Sequence, residues 1–240
     1  MTPLLIMLAV SLGPLLVVYE SLTQDDEPEG AGEGDETPVE PTVEERVSDA
    51  RDGIPAGDPF EITRGTEAEE IFVGDDEVRN VHDASGGDDT LTGGMLDDTL
   101  IGGGEADSIT GGDGDDALFG GYQRATRTDD MDADTLDGGA GDDILFLGNG
   151  DSAIGGLGTD AFVVLQEVTD NVTVQDFDPE EDAIVVESTT PDDLEVTDQT
   201  VGDNGLIITL NTGATITLSS LENPLDADAI LFSAIDPIIA

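Results

Sequence analysis

Between Gly93 and Phe119 the chain repeats itself three times without a gap, as GGMLDDTLI (Gly93–Ile101), GGGEADSIT (Gly102–Thr110) and GGDGDDALF (Gly111–Phe119). The beat returns as GGAGDDILF (Gly138–Phe146) and GGLGTDAFV (Gly155–Val163). The shared form is G-G-x-G-x-D-x-U-x, with U a large apolar residue. Each unit reads as a tight turn followed by a very short strand. The leading glycines accept positive φ and close backbone approach, so the chain can reverse over few residues. The eighth-position side chains, Leu91, Leu100, Ile109, Leu118, Leu136, Leu145, Ile154 and Phe162, point inward. Two units make one coil, and coils stack at the usual strand spacing of about 4.8 Å. One inward side chain per unit lines only a thin core.

The sixth-position acids are Asp89, Asp98, Asp107, Asp116, Asp134, Asp143 and Asp160. Alternate units fall on opposite sides of the coil. Counting units predicts Asp89 stacked on Asp107, and Asp98 on Asp116, which in turn stacks on Asp134. Asp160 falls on the same side as Asp143. Carboxylates that close repel one another unless protonated or bridged. The turns add main-chain carbonyls from glycines such as Gly94, Gly103, Gly112, Gly114, Gly139, Gly141, Gly156 and Gly158. Hard carboxylate and carbonyl oxygens, about six to a site, suit Ca²⁺ better than Mg²⁺, which keeps its waters in a smaller shell. The pairs 89/107, 98/116, 116/134 and 143/160 predict about four ions. The fifth-position acids Asp88, Asp97, Asp115 and Asp142 are expected to point outward as solvated charge. Asp130, Asp132 and Asp134 open like an EF-hand loop, but Thr135 and Gly141 stand where that loop needs Gly and Glu.

These residues resemble the repeats-in-toxin calcium-binding nonapeptide. The resemblance covers about Ala84 to Val163, where five units match both leading glycines and the Asp. It implies a parallel β-roll in which sixth-position Asp side chains and turn carbonyls hold calcium between successive coils. The segment VQDFDPEEDAIVVE (Val174–Glu187) and the strands after it are similar to the tail that follows the roll in serralysin-type proteins. Three units depart from the pattern. Gly120–Thr128 carries Ala125 where Asp belongs, together with Arg124 and Arg127. Asp129–Asp137 keeps Asp134 but lacks the glycines. The unit beginning at Leu147 is one residue short and puts Ser152 at the Asp position.

Composition bounds the partners. There are 57 acidic residues against six basic ones, all arginine, for a net charge of -51. A nucleic-acid partner is thereby excluded, since phosphate binding needs a basic face. The absence of cysteine removes disulfides and thiolate sites. Residues 1–19 contain an uncharged apolar run, Pro3 to Tyr19, read as a membrane anchor, a signal or other targeting segment, or a buried helix. Residues 20–59 are acidic and rich in Pro, Gly and Thr, and are expected to be a disordered linker. Residues 60–163 form the calcium-binding β-roll. In them His82 falls near an apolar position and is expected to be partly buried and non-catalytic. Residues 164–240 are expected to form an antiparallel β cap, with a hairpin at Asn211-Thr212-Gly213, and to act in secretion.

The expected fold class is therefore all-β. No H-E-x-x-H, G-x-S-x-G or P-loop appears, so no catalytic residue is assigned and an enzyme is not expected. The functional expectation is an extracellular or cell-surface protein whose roll folds on binding Ca²⁺. The alternative is an adhesin or matrix spacer in which calcium is purely structural. The resemblance implies one-step export, which makes secretion machinery a partner. The apolar N-terminus fits membrane anchoring through residues 3–19 as well.

Overall fold

The computed structural model describes residues 60–121, 129–165, 168–226 and 229–234. The expected N-terminal helix and acidic linker lie outside them. Seventeen strands, numbered in chain order, fall into two sheets, and the only helical element among the described residues is the 3-10 turn Pro191–Asp193.

One sheet holds the odd strands β1 (Phe60–Arg64), β3 (Arg79–Asp83), β5 (Thr99–Ile101), β7 (Ala117–Phe119), β9 (Ile144–Leu147), β11 (Ala161–Val164), β13 (Ala183–Ser188) and, last, β17 (Ile230–Ala234). The other runs from β2 (Ile71–Val73) through β4 (Thr90–Gly94), β6 (Ser108–Asp113), β8 (Thr135–Ala140), β10 (Ser152–Leu157) and β12 (Asn171–Val174) to β16 (Thr215–Leu218), β15 (Gly205–Leu210) and β14 (Val196–Gly202). From β1 to β13 consecutive strands alternate between sheets, and every pairing within the repeats is parallel. That alternation is the architecture of a parallel β-roll.

The eighth positions are the core. Leu91, Leu100, Ile109, Leu118, Leu136, Leu145 and Phe162 are all buried in one cluster drawn from both sheets. Each such side chain contributes roughly 1.5–3 kcal/mol. Ile154 does not belong to it. Ala153 pairs with Leu136 and points inward, while Ile154 sits opposite Asp137. The short unit has lost its residue from the turn, which moves every later side chain of that unit by one position and inverts its face. Phe162 and Phe177, edge-to-face at 6.2 Å, fill the end of the roll beyond the small Ala153. His82 is likewise an inward residue, paired with Leu100. It is fully buried rather than half-buried. It stacks on Phe72 at 3.9 Å, and its Nδ1 lies 2.7 Å from Thr63 Oγ1.

Parallel pairing runs on past Val163, where the nonapeptide beat ends. β12 continues β10, β13 continues β11, β16 continues β12 and β17 continues β13. Antiparallel structure is confined to β14–β15–β16, with the hairpin at Asn211–Gly213 joining β15 to β16. The strands here have lost the glycine turns but kept apolar alternation, and alternation is enough to extend a sheet already present.

Candidate metal centre

Each coil presents two turns, and each turn ends on an acid. The Oδ1 atom of every sixth-position Asp accepts the main-chain N–H of its counterpart one coil earlier. Along one edge Glu70 donates to Asp89, Asp89 to Asp107, Asp107 to Asp134 and Asp134 to Asp151, at 2.7–2.9 Å. Along the other, Asn80 donates to Asp98, Asp98 to Asp116, Asp116 to Asp143, Asp143 to Asp160 and Asp160 to Asp182, at 2.5–3.0 Å. These are two carboxylate ladders.

Three of the expected pairs stack as the spacing predicts: 89/107, 98/116 and 143/160. The fourth does not. Asp116 stacks on Asp143, and Asp134 on Asp107, each across 27 residues instead of 18. The cause is in the turn after β7. A Cβ added to Gly120 would collide with Asp134, just as one on Gly102 would collide with Asp107. Gly120 therefore opens the turn that Asp134 closes, so β7 and β8 follow each other as neighbouring units although the sequence between them is nine residues longer than one nonapeptide needs. Every later unit changes edge.

Asp151 is the acid that counting forward missed. It is fully buried, with Oδ1 on the amide of Asp134 and Oδ2 on the amide of Gly148. Counting four residues back from Gly155, where the next unit begins, would have found it; counting forward through a short unit lands on Ser152. The fifth-position acids also do more than meet solvent. Asp88, Asp97, Asp115 and Asp142 accept the fifth-position amides of the following coil, from Ala106, Asp115, Asp142 and Thr159.

The second oxygens of the sixth-position acids are the anomaly. Oδ2 of Asp89, Asp98, Asp107, Asp116 and Asp134 is sealed from solvent and has no hydrogen-bond partner. Main-chain oxygens converge on the same places. A Cβ on Gly111 would meet both Asp116 Oδ2 and the carbonyl of Gly138, and one on Gly138 would meet Asp143 Oδ2 and the carbonyl of Gly155. The second and fourth glycines form columns of their own. Gly112, Gly139 and Gly156 press on the carbonyls of Gly94, Gly112 and Gly139, while Gly141 and Gly158 press on those of Gly114 and Gly141. Gly103 lies against Ser85 and donates to the carbonyl of Gly120. Gly139, with φ at 113° and no room for a Cβ, is glycine for both reasons at once.

Burial pushes these carboxyls up, most of all at the centre. Asp116 and Asp134 are raised to about 9, first by desolvation and, among the neighbouring charges, by Asp143 and Asp151 respectively. Asp107 and Asp151 rise to about 7 and Asp160 to about 6, again chiefly by desolvation. Asp89 and Asp98 are raised for the same reason. A buried charge with an orphaned oxygen costs several kcal/mol unless something neutralises it.

No group of three or more acidic or histidine side chains converges among the described residues. Carboxylates arrive one per turn, so main-chain carbonyls must complete any shell. Anionic and carbonyl oxygens without nitrogen or sulfur suit a hard divalent cation of the calcium kind. The residues present fit that ion.

Comparison with known proteins agrees with the chemistry. A family model described as the RTX calcium-binding nonapeptide repeat, in four copies, matches residues 92–121 and 132–154. The match does not reach the tail after the roll. No curated protein matches the chain. RTX nonapeptide repeats bind Ca²⁺, and four of them fit about four ions. RTX proteins are typically secreted or surface-exposed, and the repeats are generally structural or toxin-associated. Among the described residues no helix is long and apolar enough to cross a membrane. By their spacing, their register and the match to them, residues 92–121 and 132–154 are RTX calcium-binding nonapeptide repeats.

Proposed function

We propose that this chain works outside the cell or at its surface as a module whose roll folds when calcium arrives, with Asp89, Asp98, Asp107, Asp116, Asp134, Asp143, Asp151 and Asp160 and the turn carbonyls as its ligands. One observation carries the reading: five buried Asp Oδ2 atoms without partners, ranked along two edges. Without a cation the ladders hold like charges a coil apart over a thin core. Ion binding then becomes folding free energy. Four ions supply +8, and -51 + 8 = -43, so the chain stays strongly acidic and the repair is local to the turns. Extracellular modules bind in roughly the 10⁻⁴–10⁻³ M range, which leaves the chain unfolded in a low-calcium cytosol and folded outside. Release by C-terminally directed export and retention through residues 3–19 are the two routes this reading admits. Protease shaving of intact cells separates them. With no H-E-x-x-H, G-x-S-x-G or P-loop in the sequence, we read the protein as a non-enzyme.

The test is circular dichroism of the full chain in EDTA, followed by titration with CaCl₂. Little β signal in EDTA and a cooperative gain at sub-millimolar to millimolar free calcium are expected. A complete β signal in EDTA at neutral pH overturns the switch.

A further inference from the structure

The connection between β7 and β8 holds a second kind of acid. Asp129 is 7 % exposed and belongs to neither ladder. Its Oδ2 accepts both the main-chain N–H and the side-chain Nδ2–H of Asn149, each at 2.8 Å. Its Oδ1 is buried and has no partner. It sits so close over Gly148 that a Cβ there would collide with it. Next to it, Asp130 Oδ1 accepts the amide of Asp132 at 3.1 Å, while Oδ2 is buried and also unpartnered. Both carboxylates crowd the α-carbon of Gly121, where a Cβ would strike Asp130 and lie 3.2 Å from Asp129 Oδ1. At the neighbouring seams turn amides bond main-chain carbonyls, as Gly114 does to Ala140 and Gly141 to Leu157. At this one a carboxylate takes the amide and keeps its other oxygen free. Asp129 and Asp130 also fall in the gap between the two family-matched blocks, 92–121 and 132–154.

We propose that Asp129 and Asp130 form an additional divalent-cation site at the seam between the coil of Asp134 and the coil of Asp151, with Asp129 Oδ1 and Asp130 Oδ2 as its anionic ligands. The site rests on the calcium reading of the roll but not on the repeat pattern. Two carboxylates facing one glycine, each with one buried oxygen left unpartnered, stand beside the already crowded Asp107, Asp134 and Asp151 and ask for a positive charge. Hard carboxylate oxygens without nitrogen or sulfur suit calcium.

Equilibrium dialysis of the full chain against radioactive calcium at millimolar free metal counts the ions. Asp129→Asn keeps the shape and the bond to Asn149 while removing the charge. Gly148→Ala keeps the charge but displaces Asp129 Oδ1. The proposal expects both to bind one ion fewer than the wild-type chain, with an undiminished β signal in calcium. If Asp129→Asn fails to fold, Asp130→Asn decides by the same count, because its side chain is half exposed. An unchanged ion count overturns the seam site and leaves the ladders standing, and it is also the outcome if Arg124 or Arg127 supplies the positive charge. No bound calcium in the wild-type chain removes both readings together.

Discussion

Asp116 is the residue on which both neighbours lean. Its Oδ1 satisfies the amide of Asp98, its own amide is satisfied by Asp143, and its Oδ2 has nothing but burial around it. Asp116→Ala leaves a buried amide unanswered and removes one anionic oxygen from the centre of its ladder. In saturating calcium it should cost about 1–3 kcal/mol by urea unfolding and lose at least one ion by dialysis. Asp115→Ala next door removes an exposed acceptor that holds only the amide of Asp142, and should cost less. Equal losses would mean that the sixth-position carboxylate is no more than a turn-former. The two residues are adjacent in sequence and both acidic, so composition cannot tell them apart; the phase of each relative to the apolar residue can.

At the scale of the coil, the informative element is the turn between β7 and β8. Gly120 and Gly121 open it and Asp134 closes it, so residues 122–130 are surplus to the nonapeptide. Deleting 122–130 leaves Gly120-Gly121-Met131-Asp132-Ala133-Asp134, a unit of ordinary length. The deletion should keep the calcium-dependent β signal and the Asp107–Asp134 stacking, because shortening a connection changes closure entropy only slightly. Loss of the β signal in calcium would show that the insertion braces the roll. This turn also marks the limit of what the sequence makes legible. Motif, inward leucines and the identity of the ladder acids can be read from the phase of Asp and U alone. Which edge a unit occupies cannot, because parity depends on whether each nine residues complete a half-coil, and that is decided by contacts between coils. The short unit at Leu147 failed for the opposite reason: a missing turn residue puts Asp151 and Ala153 in the places that counting assigns to Ser152 and Ile154. The strands after Val163 lack any period that distinguishes joining the roll from folding back on themselves, and they do both.

For the whole molecule, protons and calcium compete for the same oxygens. The folded-state pKa values are raised, to about 9 at Asp116 and Asp134, about 7 at Asp107 and Asp151 and about 6 at Asp160, from 3.8. The folded chain therefore binds more protons than the unfolded one between those limits, and the metal-free roll loses stability as pH rises from about 4 to about 9. Thermal melts in EDTA should show the β structure returning as pH falls from 8 to 5, with self-repulsion of the 57 acids easing in the same direction. In calcium the half-saturation point should move to higher metal over that same fall, since binding must expel protons. A melting temperature in EDTA that does not rise on acidification would contradict the burial of these carboxyls. One more property belongs to the assembly. The sixth-position bonds all run from an earlier amide to a later carboxylate, whereas the fifth-position bonds run the other way. Asp142 and Asp143 thus fasten opposite neighbours: the first holds the amide of Thr159 downstream, the second that of Asp116 upstream. Neutralising one or the other should loosen the stack in a chosen direction, read as faster amide exchange at Thr159 or at Asp116, so that a single dipeptide decides from which side the roll begins to fray.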